Sequence, residues 1–440
     1  MGRVMRIALA TLGCKVNHYE SAGIAEKLSG SGHEIVPFTG QADIYIVNTC
    51  SVTQKTDYQS RQLVRRAHRL NPSASIVVTG CYAQVAPETF RGLDGVTLVA
   101  GTAMKDALPS LLTSERLPAG TIVVTDMKDH QPFSCLPLSR IPGQTRGYVK
   151  IQDGCNADCS YCIIPRARGP SRSRKETGVI EEIRRFVDSG YREIVLTGIH
   201  LGHYGHDLAE ATTLARLVRR IENETSIERI RLSSIEPKDV TNDLLALFRR
   251  SSRLCRHLHI PLQSGHDRIL SLMSRNYTTA DYRDLLSKIF DASPEAAVGI
   301  DIMTGFPGEG EKEFEATLEF VASLPAAYFH VFPWSSRPGT KAAGMGSHLK
   351  ESVKKERARI LRELGLKKRE EYGRRFLGRE VSVLVESGRH DGTGLLRGFS
   401  DTYIPVLVMD GTSSIINTIV MVTLESQRGT MLTGRVARHA

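Results

Sequence analysis

Three cysteines far apart in the chain, Cys14, Cys50 and Cys81, each fall just past the end of a segment patterned as a β-strand. Those strand patterns are Arg6–Thr11, Ile44–Asn48 and Ser75–Thr79. Glu34–Val36 and Thr97–Val99 read as further strands, and helical stretches such as Glu20–Leu28 and Lys55–Leu70 lie between. Strand and helix in alternation indicate a parallel α/β sheet. Pro72 stops the second helix, since proline cannot continue one. In an open parallel sheet, ligands gather outside the carboxyl ends of the strands. The fold that this pattern specifies therefore brings three sulfurs to one edge. The plain alternative is three buried free cysteines, a common fate of this residue. Those would belong inside strands and helices, whereas these three are expected in loops. Two sit beside glycine, Gly13 and Gly80, where the backbone can turn around a ligand.

A second set is compact: Cys155, Cys159 and Cys162, spaced C-x-x-x-C-x-x-C. Zinc sites usually pair two cysteine knuckles and end with four ligands. The stretch Asp153–Arg168 holds three cysteines and no histidine. Three thiolates suit a cubane iron–sulfur cluster, held through three irons and leaving the fourth open to a substrate or cofactor. Both sets have this stoichiometry. Cys135 and Cys255 are left over and read as incidental buried thiols. No secretory leader is evident, and no apolar run reaches the ~18 residues of a membrane span. A cytoplasmic protein is expected, with cysteines serving as ligands rather than disulfides.

Residues 1–115 form the first expected domain, and 116–146 a proline-rich connector with one short strand pattern at Thr121–Val124. Residues 147–345 repeat strand and helix six times, which suggests a barrel or partial barrel with its active groups at the carboxyl ends of the strands. Strands are expected at Tyr148–Ile151, Glu193–Leu196, Arg229–Leu232, Leu258–Ile260, Ala297–Met303 and Tyr328–Phe332. Residues 346–375 read as an exposed, basic helical linker, and 376–440 as short β segments forming a small barrel.

The net charge of +10 favours a polyanionic partner. Three basic stretches are candidates for phosphate contact. Arg61, Arg65 and Arg69 share one helical face. Arg166, Arg168, Arg172, Arg174 and Lys175 follow the compact cysteines. Lys350–Arg375 holds eleven Lys/Arg against five Asp/Glu. For any one alone, a solvated face is the simpler reading. Residues 376–440 carry six Arg and six Asp/Glu, so RNA binding there would rest on shape and on stacking against Phe399 or Tyr403.

Gly154–Cys162, GCNADCSYC, resembles the signature loop of the radical S-adenosylmethionine enzymes. Over nearly its whole length the chain resembles the methylthiotransferases of that superfamily. Thr11–Asn17 (TLGCKVN), Asn48–Thr49–Cys50 and Thr79–Gly80–Cys81–Tyr82 are similar to that family's N-terminal domain. Gly398–Val406 resembles its RNA-binding TRAM barrel, with Thr402 where the family often has asparagine. LGCKVN and Ile163–Arg174 (IIPRARGPSRSR) are most similar to the branch acting on N6-threonylcarbamoyladenosine in tRNA. The isopentenyladenosine branch typically has GCQMN at the first motif, and the ribosomal-protein branch GCPKN.

The resemblance implies an α/β fold: an N-terminal parallel sheet domain, a partial (β/α)6 radical-SAM barrel and a TRAM-like β-barrel. It implies a [4Fe–4S] cluster on Cys155, Cys159 and Cys162, whose open iron binds S-adenosylmethionine and cleaves it to a 5′-deoxyadenosyl radical. Tyr161 would support the adenine, Thr197 and Gly198 the methionine part. Ser234, Glu236, Gln263 and Gly305 are further expected cofactor contacts, with strand-end packing as their plain alternative. A second [4Fe–4S] cluster on Cys14, Cys50 and Cys81 would carry the sulfur to be inserted, and S-adenosylmethionine would serve as both methyl donor and radical source. The expected product is a 2-methylthio adenosine next to the anticodon. Expected partners are tRNA and an electron donor such as flavodoxin or ferredoxin, for a monomer without membrane contact. The alternatives are a methylthiotransferase for isopentenyladenosine or a ribosomal-protein aspartate and, from another class, a non-catalytic iron–sulfur redox sensor that binds RNA.

Overall fold

The computed structural model describes residues 4–113, 118–128 and 132–437. The chain forms two compact units. One comprises Met1–Pro142, Lys150–Arg174 and Ser335–Gly344, the other Gly143–Val149, Lys175–Trp334 and Met345–Ala440.

The first unit is built on a six-stranded sheet. Its order is Glu34–Val36, Arg6–Thr11, Ile44–Thr49, Ser75–Gly80, Val96–Ala100, Thr121–Val123, with all neighbours parallel. The short strand expected within the connector is thus the sheet's sixth. Ile44–Thr49 is buried at every position, as a parallel strand covered on both faces must be. Tyr45 and Val47 pack on the face shared with Val64 and Ala67 of the helix Gln54–Leu70. Ile44 and Ile46 pack on the other, with Ile24 and Leu28 of the helix Lys15–Gly30. Thr11 pairs with Asn48 and Asn48 with Thr79, so three strands end in one row. The chain leaves that row toward Cys14, Cys50 and Cys81. Within the same unit, Gln152–Asp153 pairs antiparallel with Arg172–Ser173 and closes the stem of the loop that carries the compact cysteines.

The second unit holds two three-stranded sheets. One is ordered Arg229–Leu232, Glu193–Thr197, Arg146–Lys150; the other His257–His259, Ala297–Thr304, Tyr328–Pro333. Two isolated parallel bridges, Ile230 with Leu254 and Ser234 with His259, connect the halves. Six strands therefore follow one another in an open, partial barrel. The helix Glu351–Arg374 is not the solvated linker expected from its charges. Lys354, Arg357, Leu361 and Tyr372 are buried. Arg357 pairs with the buried carboxylate of Glu309 at 2.7 Å, and Gly365 lies against the Phe329 ring. Charge periodicity alone does not reveal this, because a basic residue paired with a buried acid looks like any other in sequence.

The C-terminal segment closes into a five-stranded barrel, ordered Glu380–Arg389, Leu396–Ser400, Pro405–Val408, Met431–Val436, Ile419–Arg428. Val383, Val385, Val406, Val422, Leu424 and Leu432 fill it. Phe399 and Tyr403, expected as stacking platforms for RNA bases, are already occupied. Their rings stack on each other at 5.0 Å. Arg146 lies over Phe399, Arg231 lies over Tyr403 at 4.9 Å, and His257 packs beside Tyr403. Desolvated cation–π contacts of this kind fasten an interface.

Candidate iron–sulfur sites

In the dispersed set, Cys14 is exposed and caps the helix Lys15–Gly30, while Cys50 and Cys81 are buried. Cys50 lies in a loop as expected. Cys81 does not: it opens a short helix, Cys81–Val85, because the strand Ser75–Gly80 passes directly into helical backbone. Close approach of the loops requires the adjoining glycines. Gly13 has φ +103°, and a Cβ there would stand 2.9 Å from Cys50 Sγ. Gly80 has φ +96°, and a Cβ there would collide with Thr49 O. Asn17 ties two of the loops together, donating to Leu12 O at 2.7 Å and to Thr49 O at 3.0 Å. Burial first, then the neighbouring Cys81 and Cys14, push the Cys50 thiol up to about 12. Cys50 thus lies within electrostatic reach of the other two sulfurs, a cost that a bound cation removes. Asn48 Oδ1 and Thr79 Oγ1, each buried without a partner, sit directly before two of these loops.

The compact set lies on a loop with a tightly built base. Gly154 has φ +71°, and any side chain there would collide with Pro170 O. Cys155 N donates to Gly169 O at 3.0 Å, Cys162 N to Cys159 O at 3.0 Å, and Ala157 N to Cys155 Sγ at 3.4 Å. Gln152 Nε2 crosses the stem to Ser171 Oγ at 2.9 Å. All three cysteines are half-buried, as is Tyr161 between them.

A buried charge cluster connects the two sets. The Glu20 carboxylate accepts from Lys105, from Lys150 at 2.9 Å, and from Arg168 at 2.9 and 3.0 Å. Asp153, two residues before Cys155, pairs with Lys150 at 2.7 Å and Arg168 at 2.9 Å. Burial works to raise both carboxyls, but the surrounding Arg168, Lys105 and Lys150 hold Glu20 well below the usual carboxylate range. Arg168 and Lys150 do the same for Asp153. Arg168 also reaches the dispersed set, its Nε donating to Cys81 Sγ at 3.4 Å.

The basic stretch after Cys162 is therefore mostly withdrawn from phosphate contact, with only Arg166 and Lys175 of its cations exposed. Arg168, Arg172 and Arg174 are buried. One of the two acids that enclose Arg168, Glu20, lies 148 residues earlier in the chain, so the stretch reads as exposed in sequence. One signal was present: Val16, Glu20 and Ile24 share a helical face, and an acid on a face otherwise apolar calls for a buried partner. On the helix Gln54–Leu70, by contrast, Arg65, Arg66 and Arg69 are exposed, while Arg61 donates to Tyr82 OH at 2.9 Å.

The remaining candidates belong to the second unit, each near the carboxyl end of a strand. Thr197 is the buried last residue of Glu193–Thr197, and Gly198 follows it. Ser234 is exposed beyond Arg229–Leu232. Glu236 is engaged by Arg275. Gln263 holds φ +72°, a strained value for a residue with a side chain, and its Oε1 is buried without a partner. Gly305 gives its amide to Glu309 at 2.8 Å and packs against Lys354. Sequence reasoning also missed a polar chain in this unit. His259 meets Asp301 at 2.9 Å, His330 meets the same carboxylate at 3.4 Å, and Tyr328 OH joins His257 and His259.

Two family models match the chain. Residues 6–101 match "Uncharacterized protein family UPF0004", and residues 149–321 match the radical SAM superfamily. Threonylcarbamoyladenosine tRNA methylthiotransferase MtaB of Bacillus subtilis is 39% identical over 95% of this chain and 93% of its own length. The Aquifex aeolicus protein of the same name is 38% identical over 87% and 93%. The chain belongs to the radical S-adenosylmethionine methylthiotransferase family. A tRNA-2-methylthio-N(6)-dimethylallyladenosine synthase of Acetivibrio thermocellus is 34% identical over 99% of this methylthiotransferase and 92% of its own chain. Among solved structures, the radical S-adenosylmethionine methyltransferase TsrM of Kitasatospora setae aligns over 74% of this chain and 72% of its own. Its TM-score is 0.53 at 16% identity, a likeness of fold.

Radical SAM membership implies S-adenosylmethionine and a [4Fe–4S] cluster. The compact loop of this methylthiotransferase fits such a cluster. It offers three half-buried thiol ligands and no imidazole, on a loop whose glycine-pinned base holds them together.

Proposed function

We propose that this methylthiotransferase adds a methylthio group to C2 of N6-threonylcarbamoyladenosine at position 37 of tRNA, using two [4Fe–4S] clusters. One observation carries the reading: two sets of three cysteines lie within one compact unit, joined by the contact of Arg168 with Cys81. When bound, the clusters and S-adenosylmethionine supply the radical, the sulfur and the methyl group. The chain's own part is to hold and enclose them.

Cys155, Cys159 and Cys162 hold the cluster that serves radical formation, and Cys14, Cys50 and Cys81 hold the one that delivers sulfur. Tyr161, Thr197, Gly198, Ser234, Glu236, Gln263 and Gly305 are the proposed cofactor contacts. Gln263 has the strongest support, through its strained backbone and unpartnered Oε1. Arg65, Arg66 and Arg69 supply phosphate contacts for the tRNA. The electron donor is a flavodoxin or ferredoxin, and the protein acts as a cytoplasmic monomer. No helix among the described residues is long and apolar enough to cross a membrane.

Nucleoside mass spectrometry of tRNA from cells lacking the protein tests the substrate. The methylthio derivative of N6-threonylcarbamoyladenosine should disappear. Loss of the methylthio-isopentenyl nucleoside instead would transfer the assignment to the other tRNA branch. Anaerobic incubation with dithionite and S-adenosylmethionine tests the chemistry, and absence of 5′-deoxyadenosine would leave only a redox sensor. In the variant with Cys14, Cys50 and Cys81 all changed to alanine, S-adenosylmethionine cleavage should persist while methylthiolation of tRNA is lost.

A further inference from the structure

Arg168 ends the short helix Ile164–Arg168 that follows Cys162, and its side chain is 1% exposed. Every contact of its guanidinium points to a cysteine loop or to a residue that fixes one. Nε donates to Cys81 Sγ at 3.4 Å. Nη1 donates to Glu20 and Asp153, both at 2.9 Å, and Nη2 to Asn17 Oδ1 at 2.6 Å and to Glu20 at 3.0 Å. Asn17 in turn donates to the carbonyls of Leu12, two residues before Cys14, and of Thr49, directly before Cys50. One guanidinium thus meets Cys81 directly and the other two cysteine loops through a single amide.

The charge balance points the same way. Glu20 and Asp153 are surrounded by Lys105, Lys150, Arg168 and Arg172, all buried. These six groups carry a net charge of +2, and burying cations without matching anions is costly. Arg172 Nε and Nη1 have no partner. Ligating thiolates would supply the missing negative charge, and Arg168 already directs a donor at one of the sulfurs.

We propose that Arg168 is the positioning residue of the second cluster, orienting the Cys81 ligand and easing reduction of the cluster held by Cys14, Cys50 and Cys81. The inference rests on the reading that these three cysteines hold a cluster. A cationic N–H donor to a ligating sulfur offsets the negative charge gained on reduction, so it shifts the potential upward.

The test uses full-length protein with Cys155, Cys159 and Cys162 changed to alanine, reconstituted anaerobically with iron and sulfide so that only the second site can load. A redox titration followed by electron paramagnetic resonance compares it with the same protein carrying Arg168→Lys, which keeps the cation and removes the Nε–H. The lysine variant should retain its iron and show a more negative midpoint. An unchanged midpoint with the cluster intact would overturn the proposal. If the parent takes up no iron, the second-cluster reading fails and the inference falls with it. Should Arg168→Lys not fold, pulsed resonance on the parent with isotopically labelled arginine nitrogen decides. A nitrogen coupled to the reduced cluster is expected, and its absence refutes the contact.

Discussion

Gly154 illustrates how a single residue supports a site it does not enter. Its φ of +71° and its contact with Pro170 O leave no room for a methyl group. Gly154→Ala should open the base of the compact loop, costing about 1–3 kcal/mol of backbone strain. Iron analysis should then show loss of the compact site with the dispersed site still loaded. The two sets of three cysteines stood out in the sequence by their spacing, and both fall within the first unit. The role of Glu20 was not legible there, since a buried acid is recognised by its cations and those stand up to 148 residues away in the chain. Cys81 was placed correctly at a strand end but assigned to a loop, because nothing in the sequence separates a tight strand-to-helix passage from a turn.

At the scale of elements, alternation and glycine placement recovered the sheets well. The strand Leu396–Ser400 escaped because Gly398 breaks its pattern; a Cβ there would collide with Leu384 O. Packing partners were harder to foresee. Tyr403 read as a stacking surface for RNA, yet it is held between Arg146 and Arg231 at 5.5 and 4.9 Å. Tyr403→Ala should therefore act on stability, by about 3–5 kcal/mol as for other aromatic truncations, and calorimetry should register a lower melting temperature. The helix Gln54–Leu70 supports the opposite expectation. Arg65, Arg66 and Arg69 lie on its surface, so replacing all three with alanine should leave melting unchanged. It should reduce the salt slope of tRNA binding by about 2, at roughly 0.7 per phosphate contact. Filter binding across a salt series measures it.

At the scale of the whole molecule, acid should destabilise the first unit through Glu20. Burial raises the Glu20 carboxyl, but Arg168, Lys105 and Lys150 overcome this and leave it below its unfolded value. Its stabilising contribution is complete above the unfolded value of about 4.3 and is lost as pH falls from there toward the depressed folded value. Glu20→Gln should accordingly destabilise the first unit by about 3–5 kcal/mol at neutral pH, a difference that narrows below about pH 4. The lone tryptophan, Trp334, lies in the second unit, so hydrogen exchange at the amides of Ile44–Thr49 is the suitable reporter.

The chain's division between units has a consequence for biosynthesis. Domains generally complete in the order in which the ribosome delivers them. Here the N-terminal sheet emerges first, but the cations that neutralise Glu20 include Lys150 and Arg168, and Asp57 awaits Arg337, 280 residues later. Until those segments are translated, the nascent sheet holds Glu20 with Lys105 alone of its three cations and Cys81 without its guanidinium contact. Under the proposed reading, insertion of a cluster into Cys14, Cys50 and Cys81 should be a late event of maturation, following synthesis of the loop that carries Cys155 rather than preceding it.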